Sequence, residues 1–395
     1  MFPRRNQPLW YLDFKGATSL ARLGFLETVA RALMSTVVPL AALDALGDKA
    51  SVSWVYTAGA GLALLVTLNT GLAERFVLRR WVTTAGLLSL ISSAGVFVVA
   101  DGASFALGIA LLAAAASIFS VTMSLYIMES VEAVELRRSE SRRMMYAGAA
   151  WLIGPAGGIW LADNVTETLP FLLSATLATG ALGYFWALRL GDNPVLKAPT
   201  TQAPNPFVAV PRYFRQRQLR IAYSVTLVRA MFWVAIFVYG SIYVVEAGLP
   251  SWASGVFLSL VAMLLFGAPL VVRVSDQLGT RRTIQAAFVV LAVAMLGLAV
   301  LGSPTPGGLA FWVLGAMAAS TLDVLGNIPF MRSVDPSDRV EMTAVFSTWR
   351  DVSALLAPLF AGLVLAVAPF WVFYLVLGGL AAATAWYSRL LPAEL

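Results

Sequence analysis

Twelve runs of about 20 mostly apolar residues follow one another along this chain, with short polar breaks between them. The runs are Ala21–Leu43, Trp54–Leu72, Trp81–Val99, Phe105–Met128, Met144–Ala162 and Leu169–Leu188, then Ile221–Val244, Trp252–Val272, Ile284–Leu301, Leu309–Met331, Met342–Val367 and Phe370–Leu391. They are too long, and too little alternating, for barrel strands, so each is expected to be a membrane-spanning helix that satisfies its own backbone. The breaks at Asp163–Thr168 and Ala366–Pro369 are short enough to force antiparallel neighbours. Composition agrees. Only 12% of the 395 residues are charged, about half the share of a water-soluble domain. A chain this apolar has too few polar groups to cover its own surface in water.

The basic residues sort by side. Twenty-three of the 27 Lys and Arg fall at the two termini or in every second break. Lys49 is alone on the other side, and Arg31, Arg229 and Arg350 lie inside spans. Cytoplasmic loops carry such an excess, so both termini are expected in the cytoplasm, in a multi-pass protein of the cell (inner) membrane. This placement also accounts for the net charge of +6 without nucleic acid. The first span outlasts a signal peptide and has no small-residue cleavage site, so it is expected to be retained. The chain has no Cys and no His, no Gly-Lys-Ser phosphate loop and no serine with a histidine base. It is therefore expected to be no enzyme, to hold no metal or cofactor, and to use no ATP by itself.

The longest break, Gly191–Gln218, holds Pro194, Pro199, Pro204, Pro206 and Pro211. It divides the chain into a six-helix unit, 1–190, a linker, 191–218, and a second six-helix unit, 219–395. Val208–Arg220 has the pattern of a basic amphipathic helix on the membrane surface, although a solvated tether is the plainer reading.

The two units repeat. After the second span comes Gly71-Leu72-Ala73-Glu74-Arg75-Phe76-Val77-Leu78-Arg79-Arg80, and after the eighth comes Val272-Arg273-Val274-Ser275-Asp276-Gln277-Leu278-Gly279-Thr280-Arg281-Arg282. Each has a carboxylate at a helix end, a tight turn and a basic pair. The second copy resembles motif A of the major facilitator superfamily, matching at Asp276, Gly279, Arg281 and Arg282 and departing at Val272, Gln277 and Thr280. The first copy has Glu74 for the aspartate, Val77 near the glycine position and a loop one residue longer. In the fifth span, Gly154-Pro155-Ala156-Gly157-Gly158 is similar to motif C of that superfamily's antiporters, one residue short. The arginine usual in the fourth span of its drug–proton antiporters is missing. The glycines also have a plain reading as close helix packing.

A charge inside a span normally faces a cavity or a partner. The candidates are Glu27 and Arg31 in the first span, Arg229 in the seventh, Asp323 and Asn327 in the tenth, and Arg350 and Asp351 in the eleventh. The i, i+4 spacings put Glu27 with Arg31, and Asp323 with Asn327, on common faces. The resemblance implies a cavity lined by spans one, four, seven and ten, and hence by Glu27, Arg31, Arg229, Asp323 and Asn327, with Arg350 beside them. Three acids balance three arginines, so a purely structural set of salt bridges is the competing reading. Without His, proton coupling needs Glu27 or Asp323, with Glu27 the leading candidate. Phe232, Trp233, Phe237, Tyr126 and Trp349 are aromatic neighbours more often used for packing.

What the resemblance implies is a monomeric secondary transporter with a small-molecule substrate and protons as partners. It works in the lipid bilayer by rocking two bundles about a central site. Proton-coupled efflux of an amphipathic organic compound is the first expectation. Uptake of an organic anion, and a non-transporting assembly or lipid-handling role, are the alternatives. A latch at the cytoplasmic end is expected where Asp276, with Gly279 and Arg281, meets Arg142 and Arg143 at the start of the fifth span. A weaker counterpart is expected at Glu74 and Arg75.

Overall fold

The computed structural model describes residues 10–99, 104–130, 136–188, 206–335 and 338–392, and among them all regular structure is helical. The first unit contains α1 (Trp10–Leu46), α2 (Lys49–Phe76), α3 (Arg79–Val99), α4 (Ser104–Ser130), α5 (Leu136–Asn164) and α6 (Leu169–Ala187). The second begins with a short α7 (Pro206–Arg215). Its spans are α8 (Arg217–Ala235) with α9 (Ser241–Glu246), α10 (Ser251–Met263) with α11 (Ala268–Leu278), α12 (Thr280–Leu301), α13 (Leu309–Leu325) with α14 (Ile328–Ser333), α15 (Arg339–Ser347) with α16 (Trp349–Leu365), and α17 (Trp371–Tyr387). Ten helices are long and apolar enough to cross a membrane, eleven if the bent pair α10–α11 counts as one. The twelfth, α5, is diluted by Gly148, Gly154, Pro155, Gly157 and Gly158.

The second unit breaks its spans where the first does not. Between α10 and α11 the axis bends by 48°, over Gly267 and with Pro269 in the first turn of α11. Between α13 and α14 the cause is Pro329, which has no N–H to offer the Leu325 carbonyl. At Thr348 the side-chain hydroxyl donates to the Val345 carbonyl at 2.8 Å, competing with the helix ladder between α15 and α16. Ile236–Gly240 forms a π turn linking α8 to α9. Such turns occur often at functional sites. In the first unit, Asp48 caps α2. It accepts the Ser51 N–H at 2.9 Å and the Ser51 hydroxyl at 2.7 Å, and these bonds hold its carboxyl below the usual aspartate range.

Within the first unit α1 packs chiefly on α5, and α4 on α2 and α3; within the second, α12 packs on α13 and α17. The units meet along two seams, α5 with α10 and α2 with α16. Missing side chains make both approaches possible. A Cβ on Gly154 would overlap Ala32, and one on Gly158 would overlap the Leu33 carbonyl, so these two glycines set α5 against α1. Across the seam a Cβ on Gly255 would lie 2.6 Å from the Pro155 carbonyl oxygen. On the other seam Gly362 faces Trp54. A Cβ on Gly157 would meet only Leu33 Cδ2, at an ordinary contact distance of 3.8 Å. Membrane helices gain little from apolar burial against one another, so this backbone-close fit carries their association.

Candidate functional site

Among the described residues, contacts between the units run from mid-span to the end opposite the basic loops. At that far end Lys49 Nζ lies 2.7 Å from Glu246 Oε2, and 4.9 Å from the centre of the Phe370 ring. The Ser251 hydroxyl donates to Asp163 at 2.6 Å. Deeper in, the Ser53 and Tyr239 hydroxyls are 2.7 Å apart, and Trp151 packs on Phe237 with ring centres 4.8 Å apart. Pro155 lies inside α5, and the N–H of Ala156 donates across the seam to Ser259 Oγ at 3.2 Å. Near mid-span, Arg350 donates to Ser120 Oγ at 2.8 Å. Two of these closures, Tyr239 and Phe237, project from the π turn. These contacts close the far end; of the charges within the spans, Arg31 and Asp323 are partly exposed and Arg350 is exposed.

The charges form two pairs of different construction. Glu27 and Arg31 are one turn apart on α1, with Nε at 2.5 Å and Nη2 at 3.1 Å from the two carboxylate oxygens. Glu27 is 1% exposed. This is a bidentate, charge-assisted bond within one helix. The other pair joins two helices. Arg229 on α8 is 4% exposed, and its Nε lies 3.2 Å from Asp323 Oδ1 on α13. The Nε–H is not aimed at that oxygen, so the attraction is Coulombic and not a hydrogen bond. Arg229 has two further supports. Nη1 donates to the Leu322 carbonyl at 3.3 Å, and its guanidinium sits 4.8 Å from the Trp349 ring centre. Gly326 makes room for it, since a Cβ there would lie 3.3 Å from Nη1. Asp323 also accepts from Trp233 Nε1 at 3.0 Å. The guanidinium of Arg350 lies 5.4 Å from the same Trp349 ring.

Of the expected cavity residues, the structure joins Glu27 with Arg31, and Arg229 with Asp323; Arg350 joins the second pair through Trp349. Asn327 lies four residues beyond Asp323 across helical backbone at Gly326, at the start of α14, and its Oδ1 is buried without a hydrogen-bond partner. Of the aromatic candidates, Tyr126 and Phe232 are buried core, whereas Trp233 and Trp349 touch charges. The far-end contacts were not foreseen, although Lys49, the one basic residue on its side, was the available signal. A groove of about 630 Å³ lined by Ile153, Gly157, Trp160, Trp252 and Val256 creases the outside of the α5–α10 seam. It holds no charged side chain and is separate from the site.

The motif copies differ in their turns. Gly279, at φ +84°, alone joins α11 to α12, whereas Val77 and Leu78 join α2 to α3. Asp276 is exposed, and Arg281 donates to the Leu391 carbonyl at 3.2 Å within its own unit. The side chains of Glu74, Arg75, Arg142 and Arg143 lie outside the described residues.

A sequence model of the Major Facilitator Superfamily matches residues 20–312, and the chain belongs to that superfamily. It is a membrane transporter by family and not an enzyme. Its fold is similar to a POT family transporter solved with 5-aminolevulinic acid (TM-score 0.79, 12% identity, 96% of this chain and 98% of that one). It is also similar to a POT family transporter solved with a thioalcohol-conjugated peptide (0.77, 13%, 94% and 95%), and to the nucleoside transporter NupG (0.70, 15%, 95% and 98%). At these identities the likeness concerns the fold. Among curated proteins, no sequence matches this chain.

Proposed function

We propose that the protein is a proton-coupled secondary transporter of a small organic anion, with Asp323 as the proton site and Arg229 as the anion receptor. The observation that carries this reading is the loose pair between α8 and α13. Arg229 already has the Leu322 carbonyl and the Trp349 face, so it remains supported when Asp323 is neutralised. Asp323 is partly exposed and reachable by water, whereas Glu27 is sealed under Arg31.

The charges then supply a coupling rule. The empty site with Asp323 ionised is neutral, and so is the site holding one proton and one anion. A proton alone, or an anion alone, leaves a net charge that resists enclosure between the bundles. Only the two neutral states cross readily, which makes transport a one-to-one symport driven by the pH gradient. The efflux reading rested on the helix-five glycines, and Gly154 and Gly158 are occupied in packing. Taken with cytoplasmic basic loops, the closed far end supports reading this conformation as inward-facing.

Proteoliposomes test this with a panel of labelled small carboxylates. Accumulation under an outside-acid gradient, insensitive to membrane potential, is expected for at least one of them. Accumulation only under an inside-acid gradient would favour efflux, and absence of gradient-dependent flux for every solute would favour a non-transporting role.

A further inference from the structure

At the basic end, α7 has two apolar stripes. Ala209 and Tyr213, one turn apart, are buried against the second unit, in a cluster with Leu219, Tyr223, Phe330 and Phe346. Val210 and Phe214, also one turn apart, are 40% and 38% exposed. Directly after them come Arg215, Arg217 and Arg220, all exposed. Phe214 also meets Tyr223 edge-on, with ring centres 5.2 Å apart, so this second stripe is partly exposed. A helix with one stripe on its own protein and a second partly exposed stripe, edged by arginines, has the pattern of a segment seated at a membrane interface.

We propose that α7 docks on the leaflet at the basic end, with Val210 and Phe214 in the acyl boundary and Arg215, Arg217 and Arg220 on the phosphates of anionic lipids. Charge complementarity selects this partner over neutral lipid, because phosphate accepts the guanidinium's forked donors. The dock connects to the site through packed groups. Arg212 holds Asp338 with both carboxylate oxygens, at 2.8 and 3.0 Å, next to the start of α15. Tyr213 stacks on Phe330, and Phe330 stacks on Phe346 of α15 with ring centres 4.0 Å apart. The Tyr223 hydroxyl lies 3.0 Å from that of Thr348, at the break leading to Trp349 and Arg350. A lipid-seated α7 therefore fixes the end of the eleventh span that presents those two residues. The proposal does not depend on what is transported.

Because the chain has no cysteine, Val210→Cys can carry a single environment-sensitive fluorophore. Its emission is compared in vesicles of phosphatidylcholine alone and of phosphatidylcholine mixed with phosphatidylglycerol. A blue shift with phosphatidylglycerol, reversed by high salt, is expected. Each arginine is expected to contribute about fivefold in partitioning onto the anionic surface, so changing all three to Gln should remove the shift at moderate phosphatidylglycerol. Thermal unfolding in detergent checks that the triple variant folds. If it does not, Arg215→Gln alone gives the same test at smaller amplitude. Equal emission in the two lipids would overturn the proposal. So would a shift that survives loss of the arginines.

Discussion

Two carboxylate–arginine pairs sit inside the membrane-spanning region, and they are built in opposite ways. Glu27 and Arg31 belong to one helix, are bidentate, and bury the acid almost completely. Asp323 and Arg229 belong to different helices, leave the acid partly exposed, and meet without an aligned hydrogen bond. A local pair moves with its helix, so no shift of one helix against another can strain it. A pair across helices is broken or remade whenever α8 and α13 shift. The difference separates a charge that is stored from one that is usable, and it turns on backbone connectivity more than on proximity.

The largest expected effect follows directly. Asp323→Asn should reduce gradient-driven accumulation to the passive level while substrate exchange continues, because the amide mimics the protonated acid and cannot titrate. Each pH unit of gradient is worth about 1.4 kcal/mol, or tenfold in accumulation, so the loss should be about a hundredfold with two units applied. Glu27→Gln should keep its response to the gradient. Counterflow and accumulation assays on both variants check this, and the reverse assignment would place the proton site in the first unit.

Stability should rank the pairs the other way. Arg31→Met leaves a sealed carboxylate without its cation, at a cost of about 3–5 kcal/mol. Arg229→Met leaves Asp323 with the Trp233 N–H and water access, at a cost of about 1–3 kcal/mol. Thermal unfolding in detergent should show the larger loss for Arg31→Met, and Glu27→Leu added to it should restore most of that loss. Equal losses would mean that Glu27 is not sealed.

Much of this arrangement could be read from the sequence. Apolar run length gave the spans, the side bias of Arg and Lys gave their alternation, and the repeat of Glu74 and Asp276 gave the two units. The i, i+4 spacing predicted Glu27 with Arg31 because one helix carries both. The same spacing relates Asp323 and Asn327 along the tenth span, which Pro329 breaks just beyond them. Pairing between Arg229 and Asp323 depends on how α8 lies against α13, and no local pattern encodes that. The π turn has no sequence signature of its own, yet it positions Phe237 and Tyr239 for the far-end closure.

The same logic extends to the two ends. In this conformation Asp276 is exposed, and the side chains of Arg142 and Arg143, with which a basic-end latch would form, lie outside the described residues. If Asp276 and the start of α5 close it, Asp276→Asn should shift the population further toward this conformation by about 1–3 kcal/mol, and Glu74→Gln by less. Distances between spin labels on the basic loops report the shift. Equal effects from the two variants would remove the asymmetry between the motif copies.

The smallest effect concerns Lys49 and Glu246, a pair that joins the two units, unlike Arg229 and Asp323 within the second unit, and lies at the surface. Their side chains are 20% and 32% exposed, so water and salt screen the attraction and offset much of the 2.7 Å contact. The Phe370 ring beneath Lys49 adds a little. Lys49→Gln should therefore favour opening of the far end by less than about 1 kcal/mol, opposite in direction to Asp276→Asn. The distinguishing variable is ionic strength. Raising salt to about 1 M shortens the screening length to about 3 Å, so wild type and Lys49→Gln should converge in their far-end spin-label distances. The Arg229–Asp323 pair is less screened and should keep its pH response in the same salt. If the Lys49 effect survived high salt, hydrophobic and hydrogen-bonded contacts such as Ser53 with Tyr239 would be the real closure, and Lys49 would only mark where the units meet.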